Sequence, residues 1–166
     1  MASSSTAICN LALTHLGVGK EIASLDENSQ EASACNRVYD DALDEILSDY
    51  HWNFANKFRT VELISEEPND EWEYSYLYPN DCIKLRRVLS GVRNDYRGSR
   101  VPFKVASSDD SSTLIYTDME NAVIEYTYRH TDPQFYPPKF TMAFSYLIAS
   151  YIAARVTGGD PFKLKA

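Results

Sequence analysis

The hydrophobic period of this 166-residue chain changes twice, and those changes limit the folds that it can adopt. Apolar residues recur every three or four positions up to about residue 50, at alternate positions from Phe58 to Arg129, and at helical spacing again after Pro137 and Pro138. A period of about 3.6 is typical of amphipathic helices and a period of about 2 of strands. The sequence therefore predicts an α+β fold, a small helical bundle with a β-rich insertion between the second and last long helices.

Three helices are predicted in the bundle. Serine and threonine hydroxyls precede a helix from about 5 to 16, which Gly17 would end in left-handed geometry. A second, amphipathic helix is expected from about 29 to 50. The third, from about 139 to 157, is apolar on nearly every side, so we expect it to be buried all round, with another subunit completing its cover.

Six strands are predicted in the insertion, bounded by turn-forming residues. They are 58–64, 72–78, 83–89, 102–105, 113–117 and 121–129, with a loop at 66–70 between the first two. The broken alternation at Arg86 and Arg87 predicts a bulge. We expect one domain over residues 1–166, in which the helical part covers about 1–57 and 132–166 and the insertion covers about 58–131.

The first change of period falls at a pair of large aromatic residues, Trp52 and Phe54. Large aromatic side chains at such a junction are most often packing residues. We expect Trp52 and Phe54 to form a core hinge that holds the insertion against the last helix.

Charge is distributed unevenly along the chain. The net charge of −8 argues against tight binding of nucleic acid, because such binding depends on neutralising phosphates with lysine and arginine. Acidic residues crowd one face of the second helix, whereas the basic residues cluster in the insertion, next to an aromatic stripe. Tyrosine-rich and arginine-rich surfaces favour association. The candidate interface residues are Trp72, Tyr74, Tyr76, Tyr78, Arg86, Arg87, Arg93, Arg97, Lys163 and Lys165.

Sites for chemistry are not predicted. Three dispersed cysteines suggest neither a disulfide framework nor a zinc site, and the three histidines fall in different elements without a metal-binding or catalytic motif. We therefore expect no enzyme activity, no cofactor and no metal.

The most apolar stretch, 140–156, is shorter than the ~20 residues of a membrane span, so no membrane association is expected. The alternative is a virion-associated glycan hydrolase that uses Asp44, Glu45 or Asp49, although neighbouring acids on one helix face do not flank a cleft.

An ordered set of short motifs resembles one protein family. The motifs are Asn10, Leu13 and Leu16-Gly17; Ala32 to Tyr39-Asp40; Trp52-Asn53-Phe54-Ala55; Tyr76 with Tyr78-Pro79-Asn80-Asp81-Cys82-Ile83; and Tyr126 with Pro137-Pro138-Lys139-Phe140. Together they resemble the tail tubular protein A family of tailed phages, the head-to-tail connector adaptors. The resemblance covers most of the chain in order.

The resemblance implies a structural virion protein with a location in the tail connector and, during assembly, in the host cytoplasm. Its expected partners are further copies of itself in a ring, typically a dodecamer, then the portal protein, a tail nozzle similar to tail tubular protein B, and tail fibres. Genome DNA would pass through the ring without specific binding. Candidates for the channel wall are Asp40, Asp41, Asp44, Glu45 and Asp49. Family members usually continue into a further carboxy-terminal helix that reaches the portal, whereas this sequence ends at Ala166, as a truncated form or a short member would.

Overall fold

The computed structural model of the protein describes residues 4–95 and 100–158. Within those ranges the chain forms three α-helices and seven strands, which is the predicted α+β class. Contacts group the chain into two compact units, which we call the helical unit (residues 1–50 and 130–166) and the β unit (residues 51–129). Residues 51–57, which the sequence analysis assigned to the helical part, group with the strands.

The helices have short-range signals at their ends. They are α1 (Ser5–His15), α2 (Gln30–Asp49) and α3 (Pro138–Val156). The hydroxyl of Ser29 accepts a hydrogen bond from the amide of Ala32 at 3.2 Å and so caps α2. Gly17 follows α1 with φ of +69°, a left-handed conformation in which glycine has no steric penalty. The predicted helical segments are thus confirmed to within a residue or two at their ends.

Aromatic rings make up the centre of the helical unit. Phe144 of α3 meets the ring of Tyr39 on α2 edge to face, with ring centroids 5.1 Å apart, and Phe140 meets Tyr136 in the same way at 4.8 Å. Gln30, at the start of α2, donates its side-chain amide to the carbonyl of Arg155, at the end of α3, at 2.8 Å. Helices α2 and α3 are therefore joined by an edge-to-face aromatic contact and by a side-chain hydrogen bond.

A second polar contact fixes the loop after α1. The side-chain amide of Asn10 donates to the carbonyl of Ile22 at 3.0 Å, and its oxygen accepts from the amide of Ile22 at 2.9 Å. This pair of bonds satisfies both backbone groups of Ile22, whose side chain is buried in the core. One amide side chain thus fixes the loop to α1.

The expectation that α3 is buried on every side is wrong for the single chain. Its inner face is fully buried, with Phe140, Phe144 and Ile148 each 0 % exposed. Its outer face carries Met142 and Tyr146, whose exposed fractions are 45 % and 49 %. Helix α3 packs against α1 and α2, and on its outer face the imidazole of His15 from α1 stacks on Tyr146, which stays 49 % exposed.

The β unit contains two antiparallel sheets. Its strands are β1 (Asn56–Thr60), β2 (Leu63–Asn69), β3 (Trp72–Leu77), β4 (Cys82–Val88), β5 (Lys104–Ser107), β6 (Thr113–Thr117) and β7 (Val123–Tyr128). One sheet has the order β1-β7-β4 and the other the order β2-β3-β6-β5. Residues of both sheets, among them Tyr76, Ile115, Ile124 and Tyr126, form a shared core.

Two strand predictions are wrong. The predicted strand 58–64 is divided, because β1 ends at Thr60 and the buried Val61 donates its amide to the carbonyl of Ala122 before β2 begins in the other sheet. The predicted loop 66–70 lies largely within β2, where the register with β3 shifts around Glu67, a residue with φ of +46°. The predicted bulge is confirmed by the register shift between Leu85 and Arg87.

Removal of the ring of Phe144 tests the aromatic centre of the helical unit. We expect Phe144→Ala to lower the free energy of unfolding by about 3–5 kcal/mol, because it leaves a cavity beside Tyr39, Tyr136 and Phe140. Urea denaturation followed by circular dichroism measures the change. The matched control is Met142→Ala on the exposed face of the same helix, expected to cost less than about 1 kcal/mol. Equal losses for the two variants would contradict this description of α3.

Candidate assembly surfaces

The outer face of α3 is an uncharged surface open to solvent. From Phe140 to Ala154 the helix contains no charged residue. Exposed positions repeat at spacings of three and four along it and form one broad strip, which we call the aromatic face: Met142, Ala143, Tyr146, Ser150, Tyr151 and Ala154. Contiguous apolar surface of this kind is typical of protein–protein contacts rather than of a solvated helix.

An acidic surface borders the aromatic face. Asp41, Glu45 and Asp49 are spaced four residues apart on α2 and are all exposed, so they form one row, here called the acidic ridge. The hydroxyl of Tyr151 donates a hydrogen bond to the carboxylate of Glu45. That bond raises the pKa of Tyr151, and the charges of Asp49 and Asp41 raise it further. The ridge and the aromatic face are therefore one continuous surface of the helical unit.

The other two channel-wall candidates lie on the neighbouring row of α2. Asp40 is exposed and Asp44 is half-buried. Asp44, Glu45 and Asp49, the three residues of the hydrolase alternative, lie on these two adjacent rows. The assignment of all five acidic residues to a channel wall stays a prediction.

The β unit carries a surface with exposed arginine side chains, in contrast to the acidic ridge of the helical unit. Phe58, Arg87, Val92 and Arg93 line one open cavity beside the loop 89–95, and we call these four residues the arginine patch. Phe58 is 58 % exposed and Val92 67 %, so apolar area lies next to the guanidinium groups. The loop is ordered by the hydroxyl of Ser90, which donates to Asp95 at 2.8 Å. Asp95 also lines this cavity, so the positive charge of the patch toward solvent comes from the exposed Arg93, beside the apolar area of Phe58 and Val92.

A buried carboxylate holds one arginine of the patch in place. Glu125 of β7 is 7 % exposed and accepts hydrogen bonds from Arg87 and, at 2.8 Å, from the side-chain amide of Asn56. His51 Nε2 lies 3.6 Å from Oε1 of Glu125, the oxygen that also accepts from Asn56. Burial alone would raise the pKa of Glu125, but the bonds from Arg87 and Asn56 outweigh it, so the pKa is lowered. Arg87 is therefore fixed by the fold.

The aromatic stripe on β3 divides into core and surface. Tyr76 is 1 % exposed and its hydroxyl donates to the carbonyl of Met119 at 2.6 Å, so its side chain offers no area to a partner. Trp72, Tyr74 and Tyr78 are half-buried. Within the part of the chain that the structure describes, the buried indole N–H of Trp72 has no acceptor. As interface residues, these three stay predictions.

The remaining candidates are spread over the chain. Arg86 is half-buried and its Nε donates to the hydroxyl of Thr127 at 2.8 Å, while Arg93 is exposed at the arginine patch. Arg97, Lys163 and Lys165 lie outside the described residues. Trp52 and Phe54 are half-buried, with ring centroids 6.3 Å apart, and the core residue beside them is Ala55. Their role as a hinge stays a prediction.

One serine–histidine pair lies in the helical unit and has a structural role. Nε2 of His15 is 3.0 Å from the hydroxyl of Ser145, and the imidazole stacks on Tyr146 with ring centroids 3.8 Å apart. The hydroxyl of Ser145 donates to the carbonyl of Met142 and is 0 % exposed, so no substrate can reach it. Burial lowers the pKa of His15, which favours the neutral ring in the stack.

The described part of the chain contains neither a metal site nor a membrane-spanning helix. Residues 4–95 and 100–158 contain no group of three or more acidic, histidine or cysteine side chains arranged to hold a metal ion. No helix in those ranges is long and apolar enough to cross a membrane. A scan against protein-family models and a search of curated proteins each return no match to the chain.

The bonds of Glu125 predict how the β unit responds to acid. The folded-state pKa of this carboxyl lies below its ordinary value of 4.5, so its stabilising contribution is present above that pH and is lost as the pH falls through the lowered pKa. Glu125→Gln should cost about 1–3 kcal/mol at pH 7, because Arg87 and Asn56 lose a charged acceptor. The cost should shrink as the pH falls below about 4.

Urea midpoints of the wild type and the variant between pH 7 and pH 3 measure this difference. Glu66→Gln, at an exposed carboxylate on β2, is the control and should leave the dependence on pH unchanged. A gap between wild type and Glu125→Gln that is constant over this range would contradict the assignment.

Proposed function

We propose that this chain is a structural virion protein of a tailed phage, which forms the ring-shaped adaptor between the portal protein and the tail nozzle. The ring couples head to tail and lets DNA pass. The observation that carries the proposal is the aromatic face, an uncharged exposed strip on a protein of net charge −8. Contiguous exposed apolar surface of this kind often marks the place where another protein binds.

The residues behind the resemblance to tail tubular protein A support the same proposal. Asn10 holds the loop after α1, and Tyr76 and Tyr126 lie in the core of the β unit. Asp81 accepts hydrogen bonds from Tyr126 and Lys57, at 3.1 and 3.0 Å. Each of these side chains serves the fold and none forms part of a reactive site. A shared set of such residues favours a shared scaffold, which is what a structural protein inherits.

A chain that carries two different, mutually binding surfaces can form a ring. A contact between two different patches repeats from copy to copy and generates a closed ring when its rotation divides a full turn. The helical unit supplies the aromatic face and the β unit supplies the arginine patch, so the chain carries surfaces of two kinds. The two rims of such a ring differ, which allows one rim to meet the portal and the other to meet the nozzle, with tail fibres attached outside.

DNA that moves through the ring requires a wall that does not bind phosphates. Two acidic surfaces suit that wall. One is the α2 face with Asp40, Asp41, Asp44, Glu45 and Asp49, and the other is the β2–β3 hairpin, where Glu66, Glu67, Asp70 and Glu71 are all exposed. Carboxylates repel the duplex and release no counterions from it, so passage meets little friction.

Assembly is the direct test of the proposal. Purified protein, alone or with the portal protein of the same phage, is expected to form closed rings of one stoichiometry. Native mass spectrometry counts the subunits, and electron microscopy shows whether the ring is closed. A chain that remains monomeric in both settings and at every concentration would refute the adaptor function.

The expected behaviour toward DNA is a second test. At ~0.15 M salt the protein should show no measurable duplex binding, whereas even non-specific binders reach roughly 0.1 mM or tighter. Fluorescence anisotropy with a labelled duplex measures it. A variant with Glu66→Lys and Glu71→Lys is the positive control and should gain salt-dependent binding. Submicromolar binding by the wild type would indicate a nucleic-acid-binding module instead.

A further inference from the structure

We propose that the acidic ridge and aromatic face of one copy bind the arginine patch of the next copy in the ring. This inference rests on the proposed adaptor function and names the two surfaces that meet. The occupant of the aromatic face is then a second copy of this chain, and the contact runs head to tail.

The two surfaces match in charge. The ridge places three exposed carboxylates in a row on α2, and within the described residues they make no ion pair. Arg93 is exposed at the edge of the patch and likewise makes no ion pair in the described part of the chain. Arg87 is paired with the buried Glu125, which compensates its charge, so Arg93 carries the attraction to the ridge. Complementary potentials of this kind orient two proteins as they meet.

The surfaces also match in apolar content. On the helical unit, Met142, Tyr146 and Tyr151 are each nearly half exposed, at 45 %, 49 % and 48 %. On the β unit, the exposed side chains of Phe58 and Val92 stand beside the arginines. A contact with apolar side chains at its centre and charge pairs at its rim has the composition of a stable protein interface. Tyrosine and arginine are also the residues that contribute most at such centres.

Like charges disfavour a symmetric alternative. Two ridges facing each other would bring six carboxylates together, so a two-fold dimer through the ridge is repelled. Only the contact between ridge and patch pairs opposite charges. The charge pattern therefore favours a heterologous contact, which closes into a ring.

This contact reduces the candidates for the channel wall. Asp41, Glu45 and Asp49 are engaged by the neighbouring copy and are not available to the lumen. The exposed acids of the β2–β3 hairpin, Glu66, Glu67, Asp70 and Glu71, stay candidates together with Asp40 and Asp44.

A mixing experiment tests the pairing. The ridge variant carries Asp41→Lys and Asp49→Lys, which leave the bond between Tyr151 and Glu45 intact, and the patch variant carries Arg93→Glu. Each variant alone should associate about tenfold or more weakly than wild type, because like charges then meet at every contact. Mixed in equal amounts, they should assemble again in alternation, since each contact pairs lysine with glutamate or aspartate with arginine.

Sedimentation velocity and native mass spectrometry follow the assembly. Lys84→Glu and Asp109→Lys reverse exposed charges elsewhere on the β unit and are the matched controls, expected to assemble as wild type. Ala143→Glu places a charge in the centre of the aromatic face at an exposed helical position, and it should abolish assembly while circular dichroism shows a folded chain.

The outcomes separate this inference from the proposed function. Wild-type rings with variants that assemble equally well, or variants that fail alone and also fail when mixed, would overturn the ridge–patch contact and leave the adaptor function standing. A wild type that never forms rings, alone or with the portal protein, would overturn both.

Discussion

The rotation of α3 about its own axis is the constraint on which the helical unit depends. An edge-to-face contact joins Phe144 to Tyr39 of α2, so one side of α3 is fixed toward α2. Helical spacing then determines everything else on that helix, because the residues two positions away from Phe144 must point outward. Met142 and Tyr146 are exposed for this reason. The stability of the core and the existence of the aromatic face are consequences of the same packing.

A different interaction has the corresponding role in the β unit. Glu125 occupies the central strand β7 of its sheet, and a carboxylate at such a position is tolerated only when hydrogen bonds satisfy it. Asn56 from β1 and Arg87 from β4 supply those bonds from the two flanking strands. One buried charge thus ties three strands together and holds a guanidinium at the surface. Structure and candidate interface are again set by the same residues.

Sequence pattern predicted the helices and most strands because their periods are local properties. The prediction failed where the chain passes from one sheet to the other. The alternation from Phe58 to Ile64 continues across Val61, yet β1 and β2 belong to different sheets, and no local period records which sheet a residue joins. The uniform apolar content of α3 likewise concealed its exposed side, since only contacts with α2 and α1 decide which face is covered.

The candidate surfaces were predictable in charge but not in composition. The acidic run on α2 and the arginines of the insertion are plain in the sequence. Their apolar companions were not found, because Phe58 falls within a predicted strand and Val92 within no predicted element. Only the fold brings Phe58 and Val92 beside Arg87 and Arg93 in one cavity. Tyr76 was assigned to the surface because its spacing matches Tyr74 and Tyr78, whereas it lies at the centre of the core.

In the proposed contact between ridge and patch, the apolar centre and the charged rim have separate effects. Apolar contact alone would attract any hydrophobic surface, including another aromatic face. The acidic ridge beside it repels a second ridge, so it disfavours the contact of two identical faces. Arg93 of a neighbouring copy would offset part of the charge of the ridge as Phe58 and Val92 meet the aromatic face, so attraction and recognition would coincide at one contact. Since each copy offers both surfaces once, the proposed contact would extend in one direction and close when the last copy meets the first.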